Sequence, residues 1–156
     1  MTVSPDLLDE SGRAQLVSFY SEVFGWQELP TETIDRQRLV LSAYTVDQFV
    51  FLVAGDEPMR APQLDHFGMG VGSLEELDTF YQRSLDYRRR DERVVVIDKQ
   101  TEKYPGLSIT SFYAGFLLPL MVEVQYFAYD AVPPPSASMR EQSNSRKRSA
   151  STSMPT

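Results

Sequence analysis

One histidine and no cysteine stand among the 156 residues, and those two counts bound the available chemistry. Without a thiol there is no disulfide, no thiolate metal site and no cysteine nucleophile. His66, in "LDHFGMGV" at 64–71, is the one imidazole that can exchange a proton near neutral pH or offer a nitrogen to a metal. Three roles are open to it: metal ligand, metal-free ligand binding or proton handling, and no catalytic role. Glu123 is the second chemical candidate. It interrupts the apolar stretch "PLMVEVQYFA" at 119–128. Strand alternation puts it on a face with Met121, Gln125 and Phe127, away from Val122, Val124 and Tyr126. A carboxylate is costly to bury there without a partner. Either His66 supplies that partner or Glu123 points to water. The glycine-rich "GMGVGS" at 68–73 lacks the Lys-Ser/Thr ending of a phosphate loop and the spacing of a dinucleotide fingerprint, so small residues packing a strand against a helix explain it better.

The elements that must position these side chains come in two similar sets. "LVSFYSEVFGW" (16–26) and "LDTFYQRSLDY" (77–87) match at an offset of 61, with Leu16 on Leu77, Phe19 on Phe80, Tyr20 on Tyr81, Phe24 on Leu85 and Trp26 on Tyr87. Leu16, Phe19, Tyr20, Val23 and Phe24 form one apolar helical stripe, and Leu77, Phe80, Tyr81 and Leu85 repeat it. Gly25 offers a left-handed stop to the first helix. Ser73 and Glu76 predict a capping box at the start of the second. Strands are expected near 26–30, at 37–44, 48–54, 64–71, 93–98, 107–113 and 119–128. The stretch "KQTEKYPG" (99–106) reads as a polar loop, and "RRRDER" (88–93) as a solvated strand edge. The unit is strand, helix, strand, strand, strand, written twice.

Bulk properties narrow the partners. Net charge is −7. Residues 136–156 hold four basic groups (Arg140, Arg146, Lys147, Arg148) and one acid (Glu141), leaving 11 basic and 21 acidic groups before them, a balance of −10. Such a body repels nucleic-acid phosphates. The longest apolar runs fall far short of the roughly 20 residues that span a bilayer. The start, "MTVSPDLLDESGR", carries no secretory pattern. No nucleic acid and no membrane are expected as partners, and a cytoplasmic location fits. The Pro/Ser/basic stretch 131–156 is expected to be a disordered tail.

Together, "FYSEVFGW", "LDHFGMGVGSLEELDTFY", "MVEVQYF" and the duplicated unit resemble the vicinal oxygen chelate superfamily, the glyoxalase, bleomycin-resistance and ring-cleaving dioxygenase group, over roughly residues 3 to 128. The resemblance implies an α+β fold of two paired βαβββ modules, 1–63 and 64–130, forming one domain with a curved mixed-sheet cup. The first strand of the first module is rudimentary. The cup would hold a small molecule, with Trp26, Tyr44, Phe112, Tyr113, Gln125 and Tyr126 as candidate ligand-binding residues; strand parity leaves open which face inward. A homodimer is also implied.

In the same superfamily, metal ligands come from the first and last strands of each module. His66 and Glu123 stand at the matching places in the second module, so the resemblance implies one divalent zinc, iron, manganese or nickel ion there if any cofactor is used. The first module departs from the pattern. The offset of 61 places Pro5 opposite His66 and brings Phe51 near Glu123, with no carboxylate between Gln48 and Gly55. Two protein ligands remain where metal sites commonly have three or four. A two-histidine, one-carboxylate iron site is ruled out by the single histidine, which disfavours ring cleavage. Tyr113, Gln125 or Asp65 could join the set. The expectation is therefore a small-molecule-binding protein with a degenerate metal site. The alternatives are a metal-dependent glyoxalase-like lyase, isomerase or transferase using His66 and Glu123, and a non-catalytic dimeric scaffold.

Overall fold

Two helices are set by local chemistry at their ends. Asp9 accepts the Gly12 amide at 2.8 Å and so caps α1 (Glu10–Phe24). Gly12 lies so close to the Leu7 carbonyl that a Cβ there would sit 2.5 Å from its oxygen. The helix stops at Gly25, whose φ of 73° is left-handed. The Gly25 amide then reaches the Ser21 carbonyl and the Trp26 amide reaches that of Tyr20, which satisfies two terminal carbonyls. Ser73 accepts the Glu76 amide at 3.1 Å and opens α2 (Leu74–Arg90). Glu76 reaches back to the amide of Gly72, at 3.0 Å, one residue earlier than a standard capping box.

The strands are β1 (Thr2–Val3), β2 (Gln27–Glu28), β3 (Arg38–Ser42), β4 (Phe49–Ala54), β5 (His66–Gly70), β6 (Val95–Tyr104), β7 (Leu107–Gly115) and β8 (Met121–Tyr129). This computed structural model describes residues 1–45 and 47–130; the expected tail at 131–156 lies outside the described residues. Two four-stranded sheets result, ordered β1-β4-β3-β2 and β5-β8-β7-β6. In each, the first strand runs parallel to the last and the others alternate. This is the α+β arrangement that the duplicated unit implies.

Three local expectations are corrected. Lys99–Tyr104 is strand and not loop: β6 continues past a register shift between Ile97 and Gln100 and pairs as far as Tyr104 with Leu107, so only Pro105 and Gly106 turn. Its charges are tolerated because β6 is an edge strand. Arg88, Arg89 and Arg90 form the last turn of α2 and not a strand edge, where positive charge complements the helix dipole. Pro5 is not the counterpart of His66, since it begins a 3₁₀ turn (Pro5–Leu8) after β1 has ended. The offset that aligns the helices does not extend to the strands before them.

Both helices lie against the same side of their sheets. Leu39, Leu41, Val50 and Leu52 of the first sheet and Met69, Phe112, Val122 and Val124 of the second join Leu16, Phe19, Val23, Leu77 and Phe80 in one continuous core. Phe19 is the hub, with ring centroids of Tyr20, Phe24, Tyr87 and Phe116 within 4.9–6.0 Å. The two modules are also tied by polar bonds, Tyr20 to the Phe116 carbonyl and Ser18 to Tyr87. Ser84 fills the place of Val23 at the 61-residue offset; it is buried and donates to its own helix at the Phe80 carbonyl.

Candidate functional site

Because alternate residues of a strand face opposite ways, the helix-facing set on β8 fixes the other face. Val122 and Val124 have no exposed surface, so Glu123 and Gln125 point away from the helices. Across the ladder, Glu123 stands opposite Tyr113 on β7 and Gly68 on β5, while Gln125 stands opposite Ser111 and Gly70. His66 and Gly68, two apart on β5, share that side. The open face of the second sheet thus gathers His66, Ser111, Tyr113, Glu123 and Gln125.

Their contacts form a network centred on Glu123, which is 8% exposed. The Gln125 amide donates to Glu123 Oε2 at 2.6 Å. Tyr113 stands directly opposite the same residue on β7; burial first, and then its interaction with the Glu123 carboxylate, push its pKa up to about 12. His66 Nε2 lies 3.3 Å from Glu123 Oε2, and its ring meets the Tyr113 ring edge-on at 4.9 Å. His66 Nδ1 stands 2.7 Å from the Leu64 carbonyl. A carbonyl only accepts, so Nδ1 carries a proton. Nε2 is then either protonated, forming an ion pair, or a lone pair facing a carboxylate that some other donor must bridge. The Glu123 carboxylate is an acceptor ringed by donors, and His66 is a half-exposed group able to pass a proton to or from it.

The remaining candidates are dispersed. Phe112 has no exposed surface and packs under Tyr81 on the helix side. Tyr126 shares that side and packs against the core. Tyr44 lies at φ 61°, a left-handed backbone uncommon for a tyrosine, and joins the modules: its hydroxyl donates to Glu76 at 3.0 Å and accepts the Gly72 amide at 3.2 Å. Burial, followed by the Glu76 bond, raises its pKa. Trp26 is stacked on Tyr20 and near Phe67, and its Nε1 is buried without a hydrogen-bond partner among the described residues. Asp65 offers its backbone carbonyl to the Met121 amide.

Sequence reading missed a cavity of about 360 Å³ between β4 and β5, walled by Trp26, Val50, Phe67, Met69 and Leu120, with Gly68 at its edge. Gly68 in "HFGMG" was the available signal, since a glycine inside a strand marks a close approach. A Cβ there would sit 3.0 Å from the Gln125 side-chain oxygen.

As a metal site the donor set is incomplete. His66 is oriented as metal-bound imidazoles are, with its other nitrogen tied to a carbonyl. Beyond Glu123, however, its neighbours are a phenol and an amide. Among the described residues, no group of three or more His, Asp or Glu side chains converges. On the first sheet, the side chain at the position of Glu123 is Phe51, flanked by Val50 and Leu52 as Glu123 is by two valines. The residues do not fit a three-ligand centre.

No family model matches the chain, and no curated protein matches it. Solved structures do match, all at low identity. A glyoxalase/bleomycin resistance protein/dioxygenase from Alicyclobacillus acidocaldarius superposes with a TM-score of 0.53 at 14% identity, over 76% of this chain and 83% of the other. A lactoylglutathione lyase from Agrobacterium tumefaciens gives 0.51 at 17%, over 81% and 88%. The fosfomycin resistance protein FosX from Listeria monocytogenes gives 0.52 at 13%, over 81% and 87%. The chain therefore has the vicinal oxygen chelate fold. Among the described residues no helix is long and apolar enough to cross a membrane.

Proposed function

We propose that the protein binds a small molecule non-covalently on the open face of the second sheet, at a degenerate metal site made of His66, Tyr113, Glu123 and Gln125. The observation that carries this reading is the network itself. A nearly buried carboxylate is held by an amide and lies opposite a phenol, with a half-exposed imidazole as its door to solvent. A polar cluster of this kind at the base of an otherwise apolar surface orients a ligand. The fold is shared with proteins whose names carry fosfomycin resistance and bleomycin resistance, which makes sequestration of a small molecule a reasonable class of activity. The same reading takes the protein as a cytoplasmic homodimer.

A second reading rests on one observation, the tie of His66 Nδ1 to Leu64 that leaves Nε2 toward Glu123. It is a divalent-metal lyase, isomerase or transferase using those two residues. Metal analysis of the purified protein and of His66→Ala separates the two. Sub-stoichiometric metal, unchanged by the substitution, supports the metal-free site. One ion per chain that is lost in His66→Ala sinks it. A thermal-shift screen of small molecules then looks for a ligand, since one present at a hundred times its dissociation constant stabilises by about 2.7 kcal/mol.

A further inference from the structure

β1 is too short to close the seam beside it. It pairs with β4 only at Val53 and Ala54, so Phe49 and Val50 carry no β1 partner. On the other side of the seam, β5 has β8 as its one neighbour. The Met121 amide bonds to the Asp65 carbonyl and the Val71 amide to that of Gln125. In a parallel ladder the odd-numbered residues of β5 therefore turn their peptide groups to β8, and Gly68 turns its own toward the seam. The cavity of about 360 Å³ occupies this gap. Among the described residues no charged side chain lines it; the polar exceptions are Gln48 and Met1, whose α-ammonium is bonded to the Phe51 carbonyl. Phe49 and Phe51 stand at its rim on the open side of the first sheet, 63% and 39% exposed. Gly68, at its other rim, is directly opposite Glu123. Neighbouring strands are about 4.8 Å apart, so the cavity begins one strand away from the carboxylate.

We propose that this seam is a tail pocket, and that the ligand is an amphiphile: a hydrogen-bonding head at Glu123 and His66 and an uncharged alkyl or aryl tail that passes between β4 and β5. This rests on the binding site proposed above and names the class of molecule it takes. The volume accommodates about a dozen groups of water size, at about 30 Å³ each. Trp26, the chain's only tryptophan, forms part of the wall and reports occupancy by its fluorescence.

The test is a titration of the full chain with the straight-chain alcohols from butanol to decanol, read by Trp26 emission. Affinity should rise about fourfold for each added methylene, as burial of one predicts, and flatten once the cavity is full. Val50→Phe, which fills the pocket, should flatten the series earlier. Phe49→Ser removes an exposed rim side chain at little risk to the core and should lower the gain per methylene. A flat series in the native protein, or a gain per methylene that both variants leave unchanged while thermal melts show them folded, overturns the pocket. Glu123→Gln should weaken every alcohol by a common factor and leave the gain per methylene intact. If that common factor is absent while the gain persists, the tail pocket stands and the reading of the polar face falls, so the two failures are distinguishable.

Discussion

The two sheets are built on one plan and present opposite surfaces. Each has a last strand whose inner residues enter the core, Val50 and Leu52 in the first, Val122 and Val124 in the second. On the outer face the first sheet shows Phe49, Phe51 and Val53, with the Arg38 guanidinium over the Phe51 ring at 5.8 Å. The second shows a carboxylate with an imidazole, a phenol and an amide around it. Folding constrains the inner faces, because a shared core needs both; the outer faces are free to diverge. One half of the cup has become apolar and the other polar, which is the division an amphiphilic ligand requires.

The largest test asks whether the two unequal halves are a single cooperative unit. Phe19 has no exposed surface and touches aromatic rings of both modules. Phe19→Ala should cost about 3–5 kcal/mol, measured by urea denaturation, with circular dichroism and Trp26 fluorescence tracing the same transition. Trp26 belongs to the first module, so non-coincident curves would show the halves unfolding separately and would break the comparison at its base.

The fold was legible because its determinants are local and repeated. Helical stripes at 16–24 and 77–85, a glycine stop and a serine cap are each short-range signals, and the offset of 61 links them. The parity of β8 was legible too, since Val122 and Val124 on one face leave Glu123 the other. What escaped lay in contacts that no single segment contains. Phe112 and Tyr113 are adjacent and equally aromatic, yet the pleat sends one under Tyr81 and the other to Glu123. Tyr44 is spent on Glu76, 32 residues away. Lys99–Tyr104 looked like a loop because an edge strand does not have to hide its charges. Gly68 alone hints at the cavity, because it arises where β1 ends, a fact about the pairing of distant strands.

A sharper comparison sets equivalent positions side by side. Glu123→Ala leaves the Gln125 donor without its acceptor and should cost about 1–3 kcal/mol. Phe51→Ala, at the same place on the first sheet and 39% exposed, should cost less than about 1 kcal/mol. Paired denaturation curves give both numbers. Equal costs would mean that the Glu123 network adds no stability of its own and that the two faces are energetically alike.

The smallest effect is in the alkaline limb of stability. Tyr113 titrates near 12 in the folded protein, pushed there first by burial and then by Glu123, against about 10 for an unfolded tyrosine. The folded state therefore holds the phenol proton more tightly. Its contribution is whole below pH of about 10 and is lost as pH rises toward about 12. Tyr113→Phe should remove that part of the slope, so native and variant stabilities converge between pH of about 10 and about 12 when measured by denaturant. Because burial is the larger cause, Glu123→Gln should bring the Tyr113 titration only partway back, as followed by phenolate absorbance. A full return to the ordinary value would make the carboxylate the dominant influence and tie the second sheet's polar character to that one residue. The first module offers a parallel case, since Tyr44, between β3 and β4, is likewise raised by burial before its bond to a glutamate. Glu76→Gln should therefore shift Tyr44 in the same partial way.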